Sequence, residues 1–112
     1  MKQGPIAVPP AEALARTLAA IGGKWTVEIV SALLGGPRRY GRIRATIGGI
    51  NPKMLSLRLQ GLERQGFVTR TIYPEIPPRV EYALTDAGRT LAPIIEAMVA
   101  WGGSPDERTK ET

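Results

Sequence analysis

Lys53, Ser56, Leu57, Gln60 and Arg64 recur at three- and four-residue intervals. On a helix turning about 100° per residue they share one face. That face offers an ammonium, a hydroxyl, a carboxamide and a guanidinium, a set suited to the donor and acceptor pattern of nucleobase edges and to phosphate oxygens. Residues near the N-terminal end of such a helix reach deepest, so Lys53, Ser56, Leu57 and Gln60 are the candidates for base edges and Arg64 for phosphate. Gln60 is able to bond adenine bidentately. Leu57 has two readings, contact with a thymine methyl or a stray surface leucine. Arg58 lies toward the flank, where an ion pair with Glu63 or another nearby acid would be ordinary. Gly61 is unfavourable in a helix by about 1 kcal/mol relative to alanine, which suggests close approach of another backbone.

Such a face needs an element to hold it. Leu55, Leu59 and Leu62 form the buried stripe opposite. Asn51-Pro52-Lys53 reads as N-cap, first helical position and first-turn residue, with Asn51 also a candidate DNA contact at the helix start. Gly66 stops the helix. Two strand signals follow, residues 67–73 and 80–84, joined by Pro74-Glu75-Ile76-Pro77-Pro78-Arg79, a tip too rich in proline for a two-residue turn. Arg79 after two prolines reads as a pre-ordered tip charge able to enter a minor groove or grip phosphate. The order helix, strand, tip, strand is that of a winged helix-turn-helix.

Upstream, Pro10 to Ala20 forms a first helix with Leu14, Leu18 and Ile21 on one face and Glu12 and Arg16 at i and i+4 on the other, ended by Gly22-Gly23. A second helix from Lys24 to Leu34 carries Trp25, Ile29, Val30 and Leu33 as a broad core stripe, with Trp25 a core anchor at its start. Arg38-Arg39-Tyr40 is a bridging strand or an extended lead into a short helix over residues 41–47, in which Ile43 and Ile47 point inward. Gly48-Gly49-Ile50 then makes the turn into the Asn51-capped helix, completing a helix-turn-helix. Arg38, Arg39, Arg42 and Arg44 are candidate phosphate contacts. After the hairpin, Thr85 caps a last helix bent near Pro93, with Leu91, Ile94, Ile95, Met98 and Trp101 on one apolar face. Such a face either packs on its own domain or pairs with its twin; the expectation is that, together with Leu14 and Leu18 of the first helix, it pairs with a second copy of the chain. Residues 1–9 read as a flexible arm, 10–101 as the single domain and 102–112 as a disordered tail.

Composition narrows the function. A chain of 112 residues that is 43% apolar makes one domain with an adequate core. The net charge of +5 and pI near 10.1 fit a polyanionic partner. There is no cysteine and no histidine, which removes disulfides, thiol redox chemistry, most zinc sites and Ser-His-Asp catalysis. The acids are scattered without a paired arrangement, so neither an enzyme nor a cofactor is expected. No apolar run approaches the ~18 residues that span a bilayer, and the N-terminus lacks a secretory core, so a cytoplasmic protein with no membrane partner is expected.

Five stretches carry a family resemblance: Ile21-Gly22-Gly23-Lys24-Trp25, Gly36-Pro37-Arg38-Arg39-Tyr40, Ile50-Asn51-Pro52-Lys53-Met54-Leu55, Leu62-Glu63-Arg64-Gln65-Gly66-Phe67-Val68 and Pro77-Pro78-Arg79-Val80-Glu81-Tyr82. In them the chain resembles the HxlR-type transcriptional regulators, winged-helix proteins related to the MarR group, over roughly Leu14 to Trp101. The resemblance implies a homodimer paired through its terminal helices on a pseudo-palindromic operator in double-stranded DNA. Many members carry a sensing cysteine early in the first helix; Glu12 stands at that position, so any signal has to come through a small-molecule effector, a partner or protein abundance. The expectation is a mainly helical, dimeric regulator with a small β-hairpin, more readily a repressor than an activator. A protein-interaction module and a non-specific architectural DNA-binding protein are the alternatives.

Overall fold

The computed structural model describes residues 8–103; most of the expected arm (1–9) and of the expected tail (102–112), at residues 1–7 and 104–112, lies outside this range. Six helices and three strands follow in the order α1 (Pro10–Ile21), α2 (Thr26–Leu33), β1 (Arg38–Arg39), α3 (Tyr40–Ile47), α4 (Pro52–Arg64), β2 (Val68–Tyr73), β3 (Arg79–Leu84), α5 (Asp86–Arg89) and α6 (Ala92–Gly102). The hairpin gains a third strand, because Arg38 and Arg39 pair antiparallel with Tyr82 and Glu81 to give the sheet order β1-β3-β2. Strands β2 and β3 run in register from Val68 opposite Leu84 to Tyr73 opposite Arg79.

One core joins the helices to the sheet. Ile29, Val30 and Leu33 of α2, Ile43 of α3, Leu55, Leu59 and Leu62 of α4, and Val68 and Leu84 at the base of the hairpin are buried together. The leucine stripe inferred from spacing is thus the inner face of α4. The helix ends as its sequence requires: Gly66 takes φ +84, Phe67 N–H donates to the Leu62 carbonyl and Gly66 N–H to that of Glu63, closing the left-handed cap that glycine favours. Thr85 then ties this end to the return strand. Its hydroxyl donates to the Gly66 carbonyl at 2.6 Å and accepts from Gly88 N–H at 3.0 Å, while its own N–H donates to Phe67. A side chain at Gly88 would collide with the Phe67 carbonyl, so glycine is required there.

Three expectations are corrected. Trp25 is the residue before α2, in a left-handed conformation at φ 75, with its half-buried ring beside Gly49 and packed on the core. The expected last helix is two helices, broken at Thr90-Leu91, because Pro93 lacks an N–H and its ring would crowd the carbonyl four residues earlier. Leu91 and Ile95, assigned to a dimer face, are 7% and 1% exposed and belong to the protomer's own core. Of the remaining apolar residues on the two terminal helices, Leu14, Leu18, Ile94, Met98 and Trp101 are exposed, as is Val99, which the sequence reading passed over. Among the residues of α1 only Ile21 is buried.

Candidate nucleic-acid interface

The interface is built on the N-terminus of α4. Asn51, extended at φ −82, accepts the Met54 N–H on its Oδ1 at 2.8 Å, and Pro52 follows at the first helical position. Asn51 therefore acts as the cap that sets the helix start, and its carboxamide oxygen is engaged there rather than presented to a base. A second anchor was not foreseen. The Tyr40 hydroxyl donates to the Pro52 carbonyl at 2.8 Å, fastening the β1–α3 junction to the first residue of α4 across the glycine turn. Nothing in the spacing of Tyr40 signals a bond to a residue twelve positions away.

With its start held and its leucines buried, α4 presents Lys53, Leu57, Gln60 and Arg64 to solvent and leaves Ser56 half-buried. Leu57 is 51% exposed, which agrees with its assigned place on the outer face. Lys53 and Arg64 form no ion pair among the described residues, so their charges stand open to an external anion. Arg39, Arg42 and Arg44 are also exposed, whereas Arg38 is half-buried and donates to the neighbouring Pro37 carbonyl at 3.1 Å. Arg70, exposed on β2 opposite Tyr82, is a further cation that the sequence reading missed; strand alternation would place it on the face of the buried Val68, and only the structure shows it open to solvent.

The wing departs from expectation at Arg79. It begins β3 rather than crowning the tip, donates to Glu75 and to Glu81 at 2.8 Å each, and lies 3.9 Å from the centre of the Tyr73 ring. The hydrogen bond to Glu75, reinforced by Glu81, raises the guanidinium pKa above its ordinary value. Three of its five N–H donors are thus bonded to carboxylates, and Arg79 braces the wing. Further along β3, burial pushes the Tyr82 phenol pKa up, with Arg70 opposing and Glu63 and Tyr40 adding to the rise.

Two further expectations on α4 fail. Arg58 forms no ion pair with Glu63. No backbone approaches Gly61, where the nearest group a Cβ would meet is Arg64 Nη2 at 4.0 Å. Among the described residues no helix is long and apolar enough to cross a membrane.

This geometry agrees with comparisons to known proteins. Residues 20–110 match the family described as HxlR-like helix-turn-helix. An uncharacterized HTH-type transcriptional regulator of Methanothermobacter thermautotrophicus is 42% identical over 94 residues, covering 81% of this chain and 72% of that protein. The uncharacterized HTH-type transcriptional regulator YdeP of Bacillus subtilis is 42% identical over 92 residues, covering 82% and 72%. Among solved structures, the redox regulator HypR in its oxidized form superposes with a TM-score of 0.80 at 40% identity, covering 85% of this chain and 98% of that one. The reduced form of the transcriptional regulator YodB from B. subtilis gives 0.72 at 35% identity, covering 91% and 98%. The winged helix-turn-helix built around the exposed face of α4 thus places this chain in the HxlR-like helix-turn-helix family of DNA-binding transcriptional regulators, which are not enzymes.

Proposed function

We propose that the protein is a cytoplasmic, sequence-specific repressor that binds a pseudo-palindromic operator as a homodimer. The observation that carries this reading is the outer face of α4, where Lys53, Gln60 and Arg64 are exposed together and neither cation has an acidic partner among the described residues. Lys53, Ser56, Leu57 and Gln60 read base edges in the major groove, with Leu57 against a thymine methyl, while Arg64, Arg39 and the half-buried Arg38 grip flanking phosphates.

Dimerisation rests on apolar surface that one chain leaves open. Leu14 and Leu18 on α1 are 61% and 56% exposed, and Ile94, Met98, Val99 and Trp101 form a second patch on α6. A homodimer covers both and sets two α4 helices roughly 34 Å apart, one turn of duplex. Repression follows if such a dimer occludes polymerase. With no cysteine in these residues, control by a small-molecule effector or by abundance replaces a thiol switch. Selection of genomic fragments by the purified protein at about 150 mM salt, with sedimentation of the complex, tests the reading. The expected result is an inverted repeat bound by two chains; a single half-site bound by one chain contradicts it.

A further inference from the structure

Helix α4 has a flank as well as an outer face. There Arg58, Gly61 and Arg64 border a cleft of about 340 Å³, closed on its other side by Ala20 of α1 and by Gly23 and Thr26 at the start of α2. No aspartate or glutamate lines it. The groups that do are short of partners. Arg58 Nε is buried without a hydrogen bond, and its guanidinium makes no ion pair among the described residues. Thr26 is 6% exposed, and its hydroxyl has no hydrogen-bond partner among the described residues. These two groups converge: Thr26 Oγ1 and Arg58 Nη1 lie 3.1 and 3.6 Å from the same point, the place a Cβ would occupy on Gly23. Glu63, the acid nearest in sequence, acts instead on Tyr82 on the wing side.

A buried donor without an acceptor, as at Arg58 Nε, is costly, the more so when charged, and folded proteins satisfy such a group with a bound partner where the chain supplies none. The cleft also accounts for a glycine inside α4. Gly61 lines the cleft, and a Cβ there would lie 4.0 Å from Arg64 Nη2, so a longer side chain at this position would take up cleft space. Gly61 keeps that space open.

We propose that this cleft binds a small oxyanion, a phosphate or carboxylate group, between the guanidiniums of Arg58 and Arg64 with the Thr26 hydroxyl as a third donor. A planar guanidinium fork matches either anion, and two of them without a competing carboxylate select for negative charge. A free anionic metabolite and a backbone phosphate of bound duplex present the same chemistry. The free-anion arm does not depend on the reading of α4 as a base-reading helix, because it is measured without DNA.

The test is NMR of the full chain, titrated with inorganic phosphate against chloride at constant ionic strength. The site predicts saturable shifts at the Arg58 Nε–H and the Thr26 amide, and a loss of at least about tenfold in phosphate affinity in Arg58→Met. If Arg58→Met does not fold, Gly61→Glu serves: it exchanges a poor helix former for a good one and puts a carboxylate into the cleft, so the helix persists and phosphate binding disappears. Shifts no larger than those caused by chloride, or phosphate binding unchanged in Gly61→Glu, overturn the proposal. Repeating the titration with a short duplex identifies the source. Competition between duplex and phosphate supports a backbone phosphate in the cleft, and simultaneous binding supports a free ligand.

Discussion

Helix α4 and the wing both carry arginine toward the outside, but the surroundings of the charge differ. On α4, Arg64 at the end of the helix and Lys53 in its first turn have no carboxylate partner among the described residues. On the wing, Arg79 is held between Glu75 and Glu81 and stacked on Tyr73. An exposed cation with no partner gains from meeting phosphate, whereas one already paired must first lose its carboxylates. Counting arginines along the chain would rank the two regions alike; their partners set Arg79 apart as scaffold, while Arg70 on the same wing, like Arg64, forms no ion pair among the described residues.

The comparison can be broken at several points. The largest effect should come from under the helix: Leu59→Ala empties a site that is 1% exposed and should cost about 2–5 kcal/mol in chemical denaturation. A loss below about 1 kcal/mol would mean α4 is not seated on the core through this stripe. Next, Gln60→Ala should weaken binding to the selected operator by about 1–3 kcal/mol and leave a scrambled duplex unaffected, as measured by fluorescence anisotropy. In the same assay Arg79→Ala should change either affinity by less than about threefold, and a loss matching that of Gln60→Ala would end the distinction between helix and wing. Removing the cap by Asn51→Ala should lower stability by about 1 kcal/mol without changing which sequence is preferred.

The smallest effect concerns Tyr82. Its folded pKa is raised above the ordinary 10.0, chiefly by burial. The contribution of the protonated phenol to stability is present below pH 10.0 and is lost as pH rises through the higher folded value. Denaturation midpoints should therefore decline more steeply on the alkaline side for the parent chain than for Tyr82→Phe; equal slopes would show that this phenol titrates alike folded and unfolded.

Legibility of the fold in the sequence followed the range of the interactions. The leucine stripe of α4, the Asn51 and Thr85 caps and the Gly66 stop depend on neighbours within a few residues, and each has its expected partner. The split of α5 from α6 was half-legible, since Pro93 marked a bend but the break falls upstream at Thr90-Leu91. Distant contacts were hidden: Tyr40 with Pro52, the pairing of β1 with β3, and the burial of Leu91 and Ile95 all depend on how the chain returns. Arg79 shows the same limit in small compass. Its proline-rich setting marked an ordered residue, and Glu81 lies two positions along the same strand, yet only the path of the tip brings Glu75 to it.

The most direct test of the claim that α4 reads sequence is the affinity of the purified protein for its selected operator and for a scrambled duplex, from about 50 to 200 mM salt. The account predicts that both affinities fall steeply with salt while the operator stays at least about 10³-fold tighter at 150 mM. Equal affinities for the two duplexes across that range would contradict it.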